Sequence, residues 1–173
     1  MKLVPPHIRY TQSFLSAMRK HKASGEPDGL FDEHTEEWFE QHMDLLLQTY
    51  ANYRKGKDLE EGHVPSSEFW IVDGDEWLGR FSLRHTLNEE LTRYGGNLGY
   101  YLIPSVRHKG VGTWAMAQVL DEAKKINMKK VLLTCYEDNI PSQKLIQKFG
   151  GVYQDSIPSQ KDGKPLMRWW ITL

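Results

Sequence analysis

The sequence of 173 residues contains a single cysteine, Cys135, which excludes a disulfide within the chain. Long apolar runs are also missing, whereas a helix needs about 20 apolar residues to cross a bilayer. The opening stretch MKLVPPHIRY lacks an apolar core of signal-peptide length. We therefore expect a cytoplasmic protein without a membrane partner.

An excess of either charge is missing as well, because 22 Lys and Arg stand against 23 Asp and Glu, for a net charge of −1. Without a positive field, nucleic acid is not an expected partner. The seven histidines form no H-x-x-x-H pair and Cys135 has no partner cysteine, so no metal is expected. The hydrophobic content of 39% is that of an ordinary globular protein, and we expect one domain over residues 1–173.

Two segments in the first third have helical periodicity. The first is YTQSFLSAMRKHK, and the second is HTEEWFEQHMDLLLQTYANYRKG, with Thr35 as its predicted N-cap and Gly56 as its predicted stop. The apolar stripes consist of Phe14, Leu15 and Met18 in the first segment and of Phe39, Met43, Leu46, Leu47 and Tyr50 in the second.

The pattern then changes to strands that alternate with helices. SEFWIVD and WLGRFSLRH predict a hairpin around Asp73–Asp75, and NLGYYLI predicts a third strand that stops at Pro104. Further on, the pattern predicts a helix from about residue 111 to 126, the buried strand KKVLLTCY, the helix IPSQKLIQKFGG and two closing strands, GVYQDSI and PLMRWWITL. This order predicts an α/β fold with a mostly antiparallel twisted sheet flanked by helices.

The stretch RHKGVGT, residues 107–113, lies between a predicted strand and a predicted helix. The first turn of a helix has N–H groups without partners, and Gly110 and Gly112 present no side chain that would block an anion. Arg107, His108 and Lys109 add positive charge beside them. The segment therefore predicts a pyrophosphate site, with a tight turn that binds nothing as the alternative.

Other nucleotide sites fit this segment less well. The chain contains no G-x-x-x-x-G-K-[ST], which argues against a P-loop NTPase. Gly110, Gly112 and Ala115 match G-x-G-x-x-A, a dinucleotide fingerprint. That fingerprint belongs near the start of a parallel sheet, whereas three strands precede it here, so nicotinamide dinucleotide binding is kept only as an alternative.

Two motifs together resemble the GNAT superfamily of N-acetyltransferases. RHKGVG matches [RQ]-x-x-G-x-[GA], and EDNIPSQKLIQKFGG is similar to N-x-x-[AS]-x-x-x-[YI]-x-x-x-G. The resemblance covers roughly residues 64–173 and, more weakly, the N-terminal helices. Within the superfamily, the chain resembles a subgroup of predicted bacterial acetyltransferases. It implies a GNAT-like sheet whose central strands splay apart, with acetyl-CoA as the acyl donor in the gap.

The resemblance also implies how acetyl-CoA would be held. Backbone groups of Leu102 and Ile103 would pair with the pantetheine arm as an added strand. The glycine segment would bind the pyrophosphate, and the start of the next helix would lie near the cofactor. The residues implied are Leu102, Ile103, Arg107, His108, Lys109, Gly110, Val111, Gly112, Thr113, Asn139 and Ser142.

The chain departs from the family at two chemical positions. Ile146 stands where many members carry a tyrosine acid, and its place on the apolar face of the helix indicates core packing. Asn97 stands where many members carry a glutamate base, and an amide cannot act as a base. The general acid and the general base are therefore open.

His85, Glu68 and Glu89 are the candidate bases, and Tyr136 is the candidate acid. His85 ends a strand and titrates near neutrality, although an exposed strand-end histidine is the simpler interpretation. Glu68 begins a strand, where a solvated edge charge is the simpler interpretation. Tyr136 ends the buried strand, where an aromatic ring commonly packs. Cys135 is better explained as a buried thiol than as a nucleophile.

These observations predict an acetyl-CoA-dependent N-acetyltransferase that transfers the acetyl group directly to a primary amine. The acceptor is expected to be a small molecule or a peptide, and a homodimer is left open. The departures at Ile146 and Asn97 keep a second hypothesis, a non-catalytic CoA-binding sensor or interaction module.

Overall fold

The structure, a computed structural model, describes residues 1–24, 31 and 34–173. Its strands are β1 (Lys2–Val4), β2 (Ser66–Asp73), β3 (Glu76–Arg84), β4 (Leu98–Leu102), β5 (Lys130–Tyr136), β6 (Val152–Pro158) and β7 (Pro165–Thr172). Its longer helices are α1 (Thr11–Ser24), α2 (Glu36–Arg54), α3 (Val111–Lys125) and α4 (Ile140–Lys148). Within these ranges, no helix is both long and apolar enough to span a membrane.

The strands form one sheet in the order β1-β2-β3-β4-β5-β7-β6. Neighbouring strands are antiparallel except for β4 and β5, which are parallel. The prediction of a mixed, mostly antiparallel sheet is therefore confirmed. The short strand β1 was not predicted, because three residues carry too little periodicity, and it pairs with β2 through Lys2 and Val72.

The local signals around α2 act as the sequence predicted. The hydroxyl of Thr35 accepts the backbone N–H of Trp38 at 3.1 Å, which caps the helix start. Gly56 follows the helix with φ of +67°, a left-handed conformation that glycine adopts without strain. Phe39 and Met43 are buried, so the predicted stripe faces the core.

The sheet separates two apolar cores. On one face, α1 and α2 cover an aromatic cluster in which Phe14 stacks on Trp70 with ring centroids 5.3 Å apart. On the other face, α3 and α4 cover aliphatic and aromatic side chains that include Phe81 and Leu133. Each fully buried large side chain contributes about 1.5–3 kcal/mol of stability. The central strands are thus packed from both sides, which fixes the position of any site between them.

The segment between β3 and β4 contains one π-helical turn, Leu91–Gly95. The next residue, Gly96, has φ of +67°, and a Cβ there would lie 2.5 Å from the carbonyl oxygen of Leu132. Glycine is therefore required at this position, both for the backbone conformation and for the close approach of β5.

Candidate active site

The central strands β4 and β5 diverge from one bridge. Among the described residues, the only paired positions between them are Leu98 and Leu133. Hydrogen bonds alternate along the antiparallel β3–β4 pair, and Ile103 lies on the side that faces β3. The N–H and C=O groups of Tyr100 and Leu102 therefore point away from β3 and into the gap. An extended ligand could pair with such groups as an added strand.

The backbone of Ile103 is already engaged. Its N–H donates to the carbonyl of Leu78 at 3.0 Å, and its own carbonyl accepts from Val106 at 3.2 Å. The N–H of Ile103 is therefore directed towards β3, because the chain turns at Pro104, and the pairing of Ile103 with pantetheine stays a prediction without support from its position. The backbone groups of Tyr100 face the gap beside Leu102, whose carbonyl accepts from Nε of Arg107 at 2.9 Å.

Asn97 ties three strands together where the gap begins. Its backbone N–H donates to the carbonyl of Leu132 at 2.6 Å, and its side-chain Oδ1 accepts the N–H of Leu132 at 2.8 Å. Its Nδ2 donates to the carbonyl of Arg84 at 3.0 Å. Because Asn97 is 4% exposed and all these groups are engaged, its amide has a structural role and determines where β4 and β5 separate.

A cavity of about 490 Å³ extends through the gap. Its wall is formed by β4, β5, the start of α4, the π-helical turn and the loop between β6 and β7. Gly99 contributes to the space, since nothing lies within 4 Å of the point where its Cβ would be. The volume is that of a typical small-molecule site.

The glycine segment lies beyond Leu102, at the wide end of the gap. His108 and Gly110 have φ of +61° and +82°, and Gly110 is the N-cap of α3. The first intrahelical bond runs from Trp114 to the carbonyl of Gly110, so the three preceding N–H groups have no partner in the helix. His108 and Lys109 are exposed beside this turn. Free N–H groups at the start of a helix are suited to an anion, so the pyrophosphate site stays a prediction that this geometry permits.

The two glycines differ in what they allow. At Gly110 a Cβ would meet nothing within 4 Å, so its left-handed φ accounts for the glycine. At Gly112 a Cβ would lie 3.3 Å from Cδ1 of Leu102 and 3.6 Å from Cδ2 of Leu145. Gly112 therefore lets α3 pack closely on β4 and α4. Whether it also admits a phosphate stays a prediction.

Asn139 and Ser142 reach the cavity from the start of α4. Oδ1 of Asn139 accepts the N–H of Ser142 at 3.1 Å and caps the helix. The hydroxyl of Ser142 accepts from the hydroxyl of Tyr100 at 2.9 Å. Burial raises the pKa of Tyr100 above its usual range, so this phenol stays protonated. The ring of Tyr100 also stacks on the ring of Phe81, with centroids 4.9 Å apart. Because a strand tyrosine commonly packs in this way, the sequence alone does not reveal that its hydroxyl forms a hydrogen bond at the cavity.

Tyr136 also lines the cavity, and its hydroxyl lies 3.1 Å from the hydroxyl of Ser159 on the β6–β7 loop. Its neighbour Cys135 is 6% exposed. Burial raises the pKa of Cys135 to about 11, so its thiol is protonated at neutral pH and is a poor nucleophile. The chemistry of this wall therefore favours proton transfer over a covalent acyl-enzyme.

The three candidate bases do not line the cavity. Nε2 of His85 lies 2.9 Å from Oγ of Ser67, on the side of β3 that faces β2. Burial, and next the charge of Arg54, lower the pKa of His85. Glu89 is exposed. A catalytic role for His85 or Glu89 stays a prediction without support from their positions.

Glu68 is buried, with 6% of its surface exposed, and one of its oxygens lies 3.5 Å from Nη1 of Arg80. The interpretation of Glu68 as a solvated edge charge is therefore wrong, because β1 covers that edge of β2 and the N-terminal helices cover the face. Ile146 is 1% exposed, so its interpretation as a core residue is confirmed.

Sequence reasoning did not single out several residues of the cavity wall. Arg84 comes from the end of β3, and Ser159, Gln160 and Lys161 come from the β6–β7 loop, which the pattern indicated only as a turn. No local signal marks them, because strand pairing alone brings these distant segments together.

Comparison with known proteins gives a consistent result. The chain matches the acetyltransferase (GNAT) domain family over residues 4–152. Among curated protein sequences, no significant match is found.

Solved structures with a similar fold are also found. One is RimL, a ribosomal L7/L12 alpha-N-protein acetyltransferase in complex with coenzyme A, with a TM-score of 0.72 and 14% identity over 99% of this chain and 93% of that one. Another is RimJ of Mycobacterium smegmatis with CoA-disulfide, with a TM-score of 0.73 and 16% identity over 98% and 80% of the two chains. A third is the microcin C7 self-immunity acetyltransferase MccE with acetyl-CoA and AMP, with a TM-score of 0.71 and 13% identity over 99% and 91%.

The family match covers most of the chain, and the divergence of β4 and β5 beside the glycine turn agrees with it. The chain is a member of the GNAT family of acetyltransferases.

Proposed function

We propose that the protein transfers an acetyl group from acetyl-CoA directly to a primary amine, and that residues 1–173 act as one catalytic domain. One observation carries the proposal: β4 and β5 diverge from one bridge, with the glycine turn before α3 beyond the end of β4 and a cavity lined by tyrosine hydroxyls between the strands. Family membership supports the class of reaction and the donor.

The donor fits groups that the chain leaves available. The backbone groups of Tyr100 and the N–H of Leu102 would bind the amides of the pantetheine arm. The first N–H groups of α3, with Lys109 and His108 beside them, would hold the pyrophosphate. When bound, acetyl-CoA supplies an activated acyl group as a thioester. The chain itself holds the donor extended along β4 and directs its acyl end into the cavity.

Tyr136 is the proposed general acid. Its hydroxyl lies in the cavity wall, hydrogen-bonded with Ser159, and can give a proton to the departing thiolate. The amine must lose a proton before it attacks. The described part of the wall contains no carboxylate, so the proton would pass through water. The buried, protonated thiol of Cys135 supports direct transfer without an acyl-enzyme.

The nature of the acceptor amine is a separate question from the reaction. RimL acts on a ribosomal protein, whereas another neighbour of similar fold, at 17% identity, is a spermidine N-acetyltransferase chimera. Neighbours of one fold therefore act on both protein and small amines, and the fold alone does not select between them.

A thiol-release assay with acetyl-CoA and a panel of amines tests the proposal. We expect release above background with at least one amine, and formation of the acetylated amine by mass spectrometry. Background release from a protein that binds acetyl-CoA would contradict catalysis and favour the CoA-binding sensor. Tighter binding of NADH than of acetyl-CoA would favour the dinucleotide alternative.

A further inference from the structure

Arg84, at the end of β3, lines the cavity. Its Nη1 donates to the carbonyls of Gly95 at 3.4 Å and Gly96 at 3.1 Å. A guanidinium has five N–H donors, so these two bonds leave donors available. No carboxylate in the described ranges forms an ion pair with Arg84, although the side chain is half-buried in the cavity wall.

The surroundings of Arg84 leave its positive charge incompletely balanced. Burial, and next the charge of Arg80, lower the pKa of Arg84, which means that its site disfavours the cation. The charge of Glu68, which lies 3.5 Å from Arg80, raises the pKa of Arg84 but does not outweigh these two effects. A buried cation of this kind is stabilised when an anion pairs with it.

The facing wall adds a second cation. Lys161, on the loop between β6 and β7, lines the same cavity, and no Asp or Glu stands in the described part of the wall. The nearby carboxylate of Asp155 accepts two bonds from Arg168, at 2.6 Å and 2.5 Å, and lies outside the lining. The described wall of the cavity thus contains two cationic side chains and no carboxylate.

The phosphates of the donor do not meet this need. Arg84 lies opposite Asn97 at the narrow end of the gap, whereas the glycine turn follows Leu102 at the wide end. Five residues of strand separate these ends, which is about 16 Å at roughly 3.3 Å per residue. The cations therefore lie near the acyl end of a donor bound along β4.

We infer that the acceptor carries an oxyanion, a carboxylate or a phosphate, close to its amine, and that Arg84 binds it with Lys161 on the facing wall. The inference rests on the proposed function and names the chemistry of its acceptor. Charge-assisted hydrogen bonds to a guanidinium fix both the position and the orientation of such a group. Polyamines and neutral amines are disfavoured, because they bring no charge that complements this wall.

Matched pairs of amines test the inference. The panel holds glycine and glycinamide, β-alanine and β-alaninamide, O-phosphoethanolamine and ethanolamine, and spermidine. We expect kcat/KM for the anionic member of a pair to exceed that of its neutral partner by about tenfold or more. The carboxylate and phosphate pairs distinguish the two oxyanions.

Variants connect that preference to the residues. Arg84→Gln is expected to reduce the anionic-to-neutral ratio of kcat/KM towards one, and Lys161→Gln is expected to reduce it in part. Lys164→Gln is the matched control, because Lys164 lies near the same loop, is exposed and does not line the cavity. Thermal unfolding curves, and the increase in Tm on adding acetyl-CoA, establish that each variant is folded. If Arg84→Gln does not fold, the same ratio of kcat/KM is measured for Arg84→Lys and Lys161→Gln, and these two variants decide the inference.

Failure of the inference and failure of the proposed function have different signatures. Turnover that favours the neutral amines or spermidine overturns the inference and leaves the acetyltransferase intact. If no amine reacts, the proposed function fails, and calorimetry on the CoA-bound protein with N-acetylglycine and N-acetylglycinamide decides the inference. Tighter binding of the anion, lost in Arg84→Gln, supports an oxyanion site, and equal binding of the two probes overturns it.

Discussion

The side-chain oxygen of Asn97 accepts the backbone N–H of Leu132 at 2.8 Å, at the point where β4 and β5 begin to separate. Asn97→Ala would leave that N–H and the carbonyl of Arg84 buried without partners. We expect the free energy of unfolding to fall by about 2–4 kcal/mol and the affinity for acetyl-CoA to fall as well, measured by denaturation and calorimetry.

Gln48→Ala is the matched control for Asn97→Ala, because Gln48 is exposed and hydrogen-bonds only within α2. We expect little change in either measurement there. An Asn97→Ala protein with parental stability and parental affinity would show that the amide does not determine the gap.

Binding of acetyl-CoA at the glycine turn should raise the thermal stability of the protein. Acetyl-CoA at roughly 100 times its Kd stabilises the folded state by about 2.7 kcal/mol. For a chain of this length that raises Tm by roughly 5–10 °C, and NADH and ATP should raise it much less, since neither has a pantetheine arm. Gly112→Asp should abolish the shift, because it adds a like charge beside the phosphates.

Gly112→Ser is the control for size, since any side chain there meets Leu102 at about the 3.3 Å calculated for a Cβ. We expect the serine variant to retain more of the shift than the aspartate variant. A folded Gly112→Asp protein with the full shift would mean that the segment is a turn and not a phosphate site.

Introducing a tyrosine at position 146 should not supply a general acid. Ile146 is 1% exposed and packs against Gly151, where even a Cβ would lie 2.3 Å from Cγ2 of Ile146. We expect Ile146→Tyr to lower the free energy of unfolding by about 1–3 kcal/mol and leave kcat no higher. A large gain in kcat would contradict this and show that the parent lacks a proton donor.

Tyr136→Phe tests the proposed acid. Removing the hydroxyl should lower kcat by about 100-fold, with unchanged binding of acetyl-CoA, because only the departing thiolate requires its proton. Tyr153→Phe is the matched control, since Tyr153 is exposed and its hydroxyl bonds only Ser156. Equal kcat in the parent and Tyr136→Phe would exclude Tyr136 as the acid.

His85 should affect how stability depends on pH. Because burial lowers its pKa below 6.5, the unfolded chain binds the proton more readily, and the protein loses stability as pH falls through 6.5. Between pH 7.5 and 5.5 the Tm of His85→Gln should therefore fall by less than the Tm of the parent. The exposed control His63→Gln should show the same fall as the parent. If His85 is instead the catalytic base, His85→Gln will lower kcat and shift the pH–rate profile.

Much of the fold could be predicted because its signals are local. The cap at Thr35, the helical stripe through Phe39 and Met43, and the glycine stop at Gly56 depend on residues within a few positions of each other. The π-helical turn before Gly96 and the three-residue β1 gave no such signal, because their backbone is determined by contact with β5 and β2.

The candidate site divides in the same way. The glycine turn and the start of α4 at Asn139 belong to sequence motifs, so both could be located from short stretches. The positions of Glu68 and His85 could not, because each depends on which strand or helix covers it.

The sequence by itself determined the longer helices, every strand except β1, and the family, since capping, periodicity and short motifs act over a few residues. Only the tertiary structure decided that Asn97 holds β4 to β5 at one end, and that Arg84 and Lys161 face one cavity. These arrangements arise from pairing between strands distant in the chain. Sheet register brings them together, and no local pattern encodes it.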